Sequence, residues 1–267
     1  MCAVGSGYAR VGGVTTRVSD ALTSMDDVDY EDLEALWSAL EPSLADVRSL
    51  EAAAQMFINA LYERFASSVV LARLFGTVEL KQLPAGDRTF VERFASSAGD
   101  AEQITDATPV LSLLASRGAE EAWNDRRSSR DHLGIPLLSE RFVAEIPMIS
   151  RLLNEIGFAP AWRGSEAGFV TKTLANVNGI FYVGDARTAV DDRERSIIPA
   201  TAFVERYGIR TVFGFGGSYL GRHMFISAIV FCRDEIARSQ AMRFIPLIGS
   251  FKAATTRLVN RGAIFSD

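Results

Sequence analysis

The sequence predicts an α+β fold, with a central, mostly antiparallel sheet flanked by N- and C-terminal helices. Three observations carry that prediction. Residues 210–232, RTVFGFGGSYLGRHMFISAIVFC, hold two apolar runs joined by a glycine-bearing connection short enough for a hairpin. Apolar residues recur at helical spacing near both ends of the chain, over 30–64 and again over 239–260. Between those ends, short apolar runs alternate with turn-rich polar stretches, and no repeat of fixed period is visible.

Taken in order, residues 1–28 are rich in Gly, Ser, Thr and Asp and read as a flexible tail. Residues 29–267 read as a single domain with a polar loop inserted near 118–132. A first helix is expected over Tyr30–Glu41, ended by Pro42. Ser49 caps a second, which carries Leu50, Phe57, Leu61 and Phe65 at helical spacing through Arg64. The run VVLARLFGTVEL has strand composition and is expected to open the sheet. A short helix follows over Asp87–Ala95, and Pro109 introduces a short apolar run, VLSLLA. Ser139 caps a helix reaching Ile156, with a kink or a later start at Pro147. Another helix is expected over Glu166–Ala175, then a strand over Ile180–Val183 and a charged loop over Thr188–Ser196. Pro199 opens and Gly208 closes two helical turns. The hairpin strands Arg210–Phe215 and Met224–Cys232 lead to a final helix over Ser239–Asn260, where Pro246 predicts a kink or a late start.

Composition narrows the classes of function. The chain has 267 residues, 48% of them hydrophobic, enough to bury a core without covalent staples. Net charge is -5 and the basic residues are scattered, which argues against nucleic acid as a partner. No uncharged apolar run approaches the ~18 residues that a membrane span needs. The N-terminus has neither the basic nor the apolar region of a signal peptide, and the expected location is the cytoplasm. Cys2 and Cys232 make no disulfide framework, and Cys232 ends an apolar run as a small buried hydrophobe would.

Chemistry-bearing residues are few. Gly214, Gly216, Gly217 and Gly221 do not form a dinucleotide loop, because Tyr219 takes the third glycine's place and a strand follows; they read as turn geometry. Neither histidine has a metal-ligand partner at zinc spacing, no G-x-S-x-G elbow occurs, and no catalytic nucleophile or metal ligand is assigned. His132 or His223 could ligate a haem iron through its imidazole. The densest polar constellation is Asp125, Arg126, Arg127, Arg130, Asp131 and His132, next to Trp123. Its arginines could clamp a carboxylate or phosphate, with the carboxylates and histidine orienting them or doing acid–base work; the alternative is a solvated loop of mutually paired charges. Phe181, Tyr182, Phe213, Phe215 and Tyr219 alternate along the expected strands, which sends some to each face and leaves one set able to line an apolar pocket.

The stretches VLARLFGTVEL, IFYVGDA, RTVFGFGGSYLGRHMFISAIVFCRDE and FKAATTRLV together resemble the GAF-type sensor domains of bacterial signalling proteins. The region from TPVLSLLASRG onward is similar to sensor regions near the N-termini of some bacterial histidine kinases. The chain departs from that pattern in the insert around Trp123–His132 and in its length, and no nucleotide or bilin attachment motif carries over. The resemblance implies a cytosolic ligand-sensing domain of bacterial signal transduction, without catalysis and with no cofactor specified. Its small-molecule ligand would lie in the aromatic pocket, covered by the Trp123–His132 loop. Amphipathic terminal helices add the expectation of a homodimer with a signalling output partner. Two rival readings are a haem- or cofactor-binding sensor and an enzyme acting on an anionic substrate through Asp125, Arg126, Arg130 and His132.

Overall fold

In the computed structural model, which describes residues 24–129, 132–158, 178–221 and 224–266, six strands form one sheet in the order β3-β2-β1-β6-β5-β4. The strands are β1 (Val69–Glu79), β2 (Pro109–Gly118), β3 (Gly134–Pro136), β4 (Gly179–Val183), β5 (Thr211–Ser218) and β6 (Phe225–Cys232). Every neighbouring pair is antiparallel. The expected hairpin is β5–β6, in register from Thr211 opposite Cys232 to Ser218 opposite Phe225. Of the four glycines assigned to its turn, only Gly221 has positive φ, at 68°, where an L side chain would be strained. Gly214, Gly216 and Gly217 lie within β5 itself.

Both faces of the sheet are covered. On one lie α1 (Tyr30–Leu44), α2 (Leu50–Arg64), α7 (Arg238–Met242) and α8 (Ile245–Asn260). They bury Phe57, Ile58, Phe244, Ile248 and Phe251 against Leu74, Phe213, Phe215, Ile226 and Val230. The second face carries Leu113, Phe181, Val212, Phe225, Ile229 and Phe231. It packs on α4 (Glu140–Ala144), α5 (Pro147–Ile156), α6 (Thr201–Tyr207) and the loop residues Ile197 and Ile198. A bulge, where Leu114 is the extra residue opposite Leu74 and Phe75, lets consecutive Leu114 and Ala115 both reach the first core.

Local chemistry set several element ends as expected. The Ser49 hydroxyl accepts the Ala52 N–H at 3.1 Å and caps α2. Pro147 starts α5 rather than kinking one long helix, and Pro246 sits in the first turn of α8 after the separate α7. Gly208 closes α6 in the left-handed conformation.

Other expectations need correction. Pro42 does not end α1, which continues to Leu44; the proline falls in the last turn, which it deprives of one N–H donor. Within the stretch read as a tail, Met25 and Val28 are fully buried and the Met25 N–H donates to the Ser68 hydroxyl at 3.0 Å. Helix α3 spans Ala85–Ser97, and VLSLLA is the middle of a ten-residue strand. The GIP segment is a short edge strand that its length concealed. The helix expected over Glu166–Ala175 lies outside the described residues.

Candidate functional site

Among the described residues, those singled out in the sequence do not converge on one cavity. Phe213 and Phe215 are fully buried in the first core, where the Phe213 ring lies 5.4 Å and the Phe215 ring 5.9 Å from Phe244. Phe181, opposite Gly214 in the β4–β5 register, points to the other face. The three phenylalanines are therefore core on opposite sides of the sheet, as the strand period requires. Tyr219 is buried with its hydroxyl 2.7 Å from that of Thr255, and burial raises its phenol pKa. The Tyr182 hydroxyl donates to the Ile236 carbonyl at 2.7 Å, with the Arg238 guanidinium 5.7 Å from its ring.

The polar loop is a structural joint. Arg126 is 3% exposed: its Nε donates to Glu51 at 3.0 Å, and Nη1 and Nη2 donate to one Asp87 oxygen at 2.8 and 2.9 Å. The Phe265 ring stacks 5.0 Å from its guanidinium carbon. Burial, followed by the neighbouring Arg126 and Glu51 charges in opposing senses, leaves Asp87 with a raised pKa. Arg126 thus holds α2, α3 and the C-terminal segment together. Asp125 accepts the Arg127 N–H at 3.0 Å and caps a short helical turn, while exposed Arg127 reaches Glu51 at 3.3 Å. His132 is exposed, with φ of 65°. Arg130, Asp131 and His223 lie outside the described residues.

Trp123 packs on α6. Its ring lies 5.6 Å from Phe203 and 4.9 Å from Tyr207, and Phe203 meets Phe231 at 5.5 Å. Gly118 makes room for it, since a Cβ there would come within 2.7 Å of the indole. The Tyr207 hydroxyl donates to Glu120 at 2.7 Å, tying α6 to the same loop and raising the phenol pKa.

The other side of α6 borders an open depression of about 670 Å³ lined by Val204, Glu205, Gly208, Arg210, Arg233 and Glu235, with Arg187 at its edge. Arg210 is ion-paired with Glu235, and Arg187 holds Asp185 at 3.0 Å. Hydrogen bonds from the Arg187 side chain and backbone lower the Asp185 pKa to about 2. Arg233 and Glu205 have no ionic partner among the described residues. A charged wall with one guanidinium and one carboxylate to spare suits a small ligand bearing both signs of charge. Sequence reading missed these residues, although Arg210 and Arg233 flank the hairpin and antiparallel pairing has to bring them together; the Arg210 N–H donates to the Cys232 carbonyl at 2.8 Å. Among the described residues no cluster of three or more His, Cys, Asp or Glu side chains is arranged to hold a metal ion, and no helix is long and apolar enough to cross a membrane.

No protein-family model matches the chain. No curated protein matches it either. Among solved structures it is similar to the phycocyanobilin-bound GAF domain of a cyanobacterial phytochrome, at 10% identity and a TM-score of 0.44, covering 88% of this chain and 98% of that one. A phycoerythrobilin-bound GAF domain from a cyanobacterial phytochrome is similar at 9% identity and 0.44, with the same coverage. The chromophore-binding domain of an R. palustris bacteriophytochrome is similar at 8% identity and 0.42, covering 88% of this chain and 64% of its own. Likeness so distant carries nothing about ligand or activity.

Proposed function

We propose that the chain is a ligand-sensing regulatory domain of bacterial signal transduction that does no catalysis. Its small-molecule ligand binds in the depression beside α6, its carboxylate or other anionic group on Arg233 and its cationic group on Glu205. One observation supports this reading above the others: α6 has the charged depression on one side and the Trp123–Phe203–Tyr207 cluster on the other. A ligand that shifts this two-turn helix therefore disturbs an aromatic cluster outside the depression, as a sensor requires. The aromatic contribution to sensing is thus indirect, since Phe181, Phe213 and Phe215 are core. In this reading the cytoplasm is its place of work and an output partner reads the change.

In the same reading the chain is a helix-mediated homodimer, with α1 as its surface. The apolar stripe of α8 is turned inward, whereas α1 leaves Tyr30, Glu31, Glu34 and Ser38 exposed. A single monomeric mass by light scattering removes the dimer from the proposal.

The test is a screen of amino acids and other small zwitterions, read by thermal unfolding and Trp123 emission. Trp123→Phe identifies the Trp123 part of the signal. A hit that changes Trp123 emission and binds about tenfold more weakly to Arg233→Gln, a change of ~1.4 kcal/mol, supports the site. A panel with no binder at millimolar concentration, or hits indifferent to Arg233→Gln and Glu205→Gln, overturns it.

A further inference from the structure

A second depression, of about 600 Å³, opens between the α1–α2 connection and the C-terminal end of α8. Val47 and Leu258 give it an apolar floor, and Asp46, Arg48, Arg257 and Arg261 supply its charge. Three arginines and one aspartate thus line the same depression. None of the three is ion-paired with a carboxylate among the described residues.

One of them is already immobilised. The Arg257 Nη2 donates to the Leu44, Ala45 and Val47 carbonyls at 2.8, 2.6 and 2.9 Å, closing the end of α1. Its Nε and Nη1 make no hydrogen bond among the described residues, and neither is buried without a partner. Arg48 and Arg261 are exposed and free to close on a ligand. A plain structural explanation covers part of this: cations in and just after the last turn of α8 complement the helix dipole. That explanation fits Arg257 and Arg261 and leaves Arg48, which comes from a different element, unaccounted for. The N-terminus of α2 is not the attraction, because the Leu50 and Glu51 N–H groups donate to the Ala263 and Ile264 carbonyls.

We propose that Arg48, Arg257 and Arg261 form a binding site for a phosphate group, separate from the depression beside α6. A phosphate dianion suits three guanidiniums, each a planar array of donors, and one pre-positioned arginine reduces the ordering cost of binding. The phosphate could belong to a soluble phosphomonoester or to a lipid headgroup, and the experiment separates the two sources.

The full chain is titrated with inorganic phosphate against chloride at matched ionic strength, and thermal unfolding and calorimetry follow binding. In parallel, it is sedimented with phosphatidylcholine vesicles with and without phosphatidic acid. Variants are Arg48→Gln/Arg261→Gln, at exposed positions where far-UV circular dichroism confirms folding, and Arg233→Gln in the other depression. The expected result is phosphate-specific binding in one or both arms, weakened about tenfold or more in the double variant and unchanged in Arg233→Gln. Soluble phosphate alone identifies a free ligand; co-sedimentation alone identifies a headgroup. Absence of phosphate-specific binding in both arms overturns the site. So does binding that survives the double variant, or that falls equally in Arg233→Gln.

Discussion

Arg126 illustrates how far a residue's role depends on partners remote in sequence. Within RRSSRDH it looks like one of several solvated charges, yet its carboxylate partners Glu51 and Asp87 lie on α2 and α3. A buried ion cluster of this kind adds little net stability by existing, because desolvation offsets attraction, but removing one partner leaves charge stranded in the interior. Arg126→Met is therefore expected to cost ~3–5 kcal/mol, measured as the shift in urea unfolding free energy at neutral pH. Asp87 bears most of the loss, since Glu51 keeps Arg127 and the Ser266 N–H. Without Arg126 the Asp87 pKa rises further, so the folded variant holds a proton that the unfolded chain releases. The deficit should then shrink as pH falls towards the usual carboxylate range. A loss under ~1 kcal/mol, or one independent of pH, would show the cluster to be solvent-screened.

At the scale of elements, legibility followed the range of the determining chemistry. Ser49, Pro147, Pro246 and Gly208 act on their own helix ends, and each marked a boundary correctly. The three-residue β3 exists through pairing with β2, a contact that no local period encodes. Alternation along β4 and β5 was readable, whereas the covering of both sheet faces depends on helices and loops far apart in sequence, so a pocket was expected where the structure has core. Helix α8 also carries a feature its apolar stripe conceals: Lys252, largely buried, donates to the Ser218 carbonyl at 2.8 Å and faces no carboxylate among the described residues. Burial lowers its pKa. Between that depressed value and the ordinary lysine value, the unfolded chain holds the proton and the folded one does not, so stability rises with pH across that alkaline window. Below the window the penalty for burying the ammonium is fully present. In Lys252→Met this dependence disappears while the stem's packing is largely kept. Urea midpoints of the two proteins from pH 7 upward should run parallel at first, with the wild type gaining on the variant as pH climbs. Curves that stay parallel throughout would mean that the amine reaches solvent in the folded state.

Across the whole molecule, the sheet unites two cores, and the last residues fasten its helical side. Residues 263–266 are bound along their whole length. The Ala263 and Ile264 carbonyls accept the first two N–H groups of α2, Ile264 is buried, Phe265 lies against the Arg126 guanidinium, and the Ser266 hydroxyl meets that of Ser49 at 2.7 Å. The segment thus joins the cap of α2, the Arg126 cluster and the end of α8 in one contact network, and its parts should not contribute additively. Removing residues 263–267 gives up the burial of one isoleucine and part of one phenylalanine, a loss of ~2–4 kcal/mol on transfer grounds. It also admits water to Glu51 and Arg126. The predicted consequence is a loss larger than the transfer value alone. Far- and near-UV circular dichroism should still report one shared transition, because both cores are built on the same six strands. Chemical denaturation of the full and shortened chains decides the matter. A deficit no greater than burial accounts for would make the segment simple packing. Separated far- and near-UV transitions would show that the two faces of the sheet unfold independently.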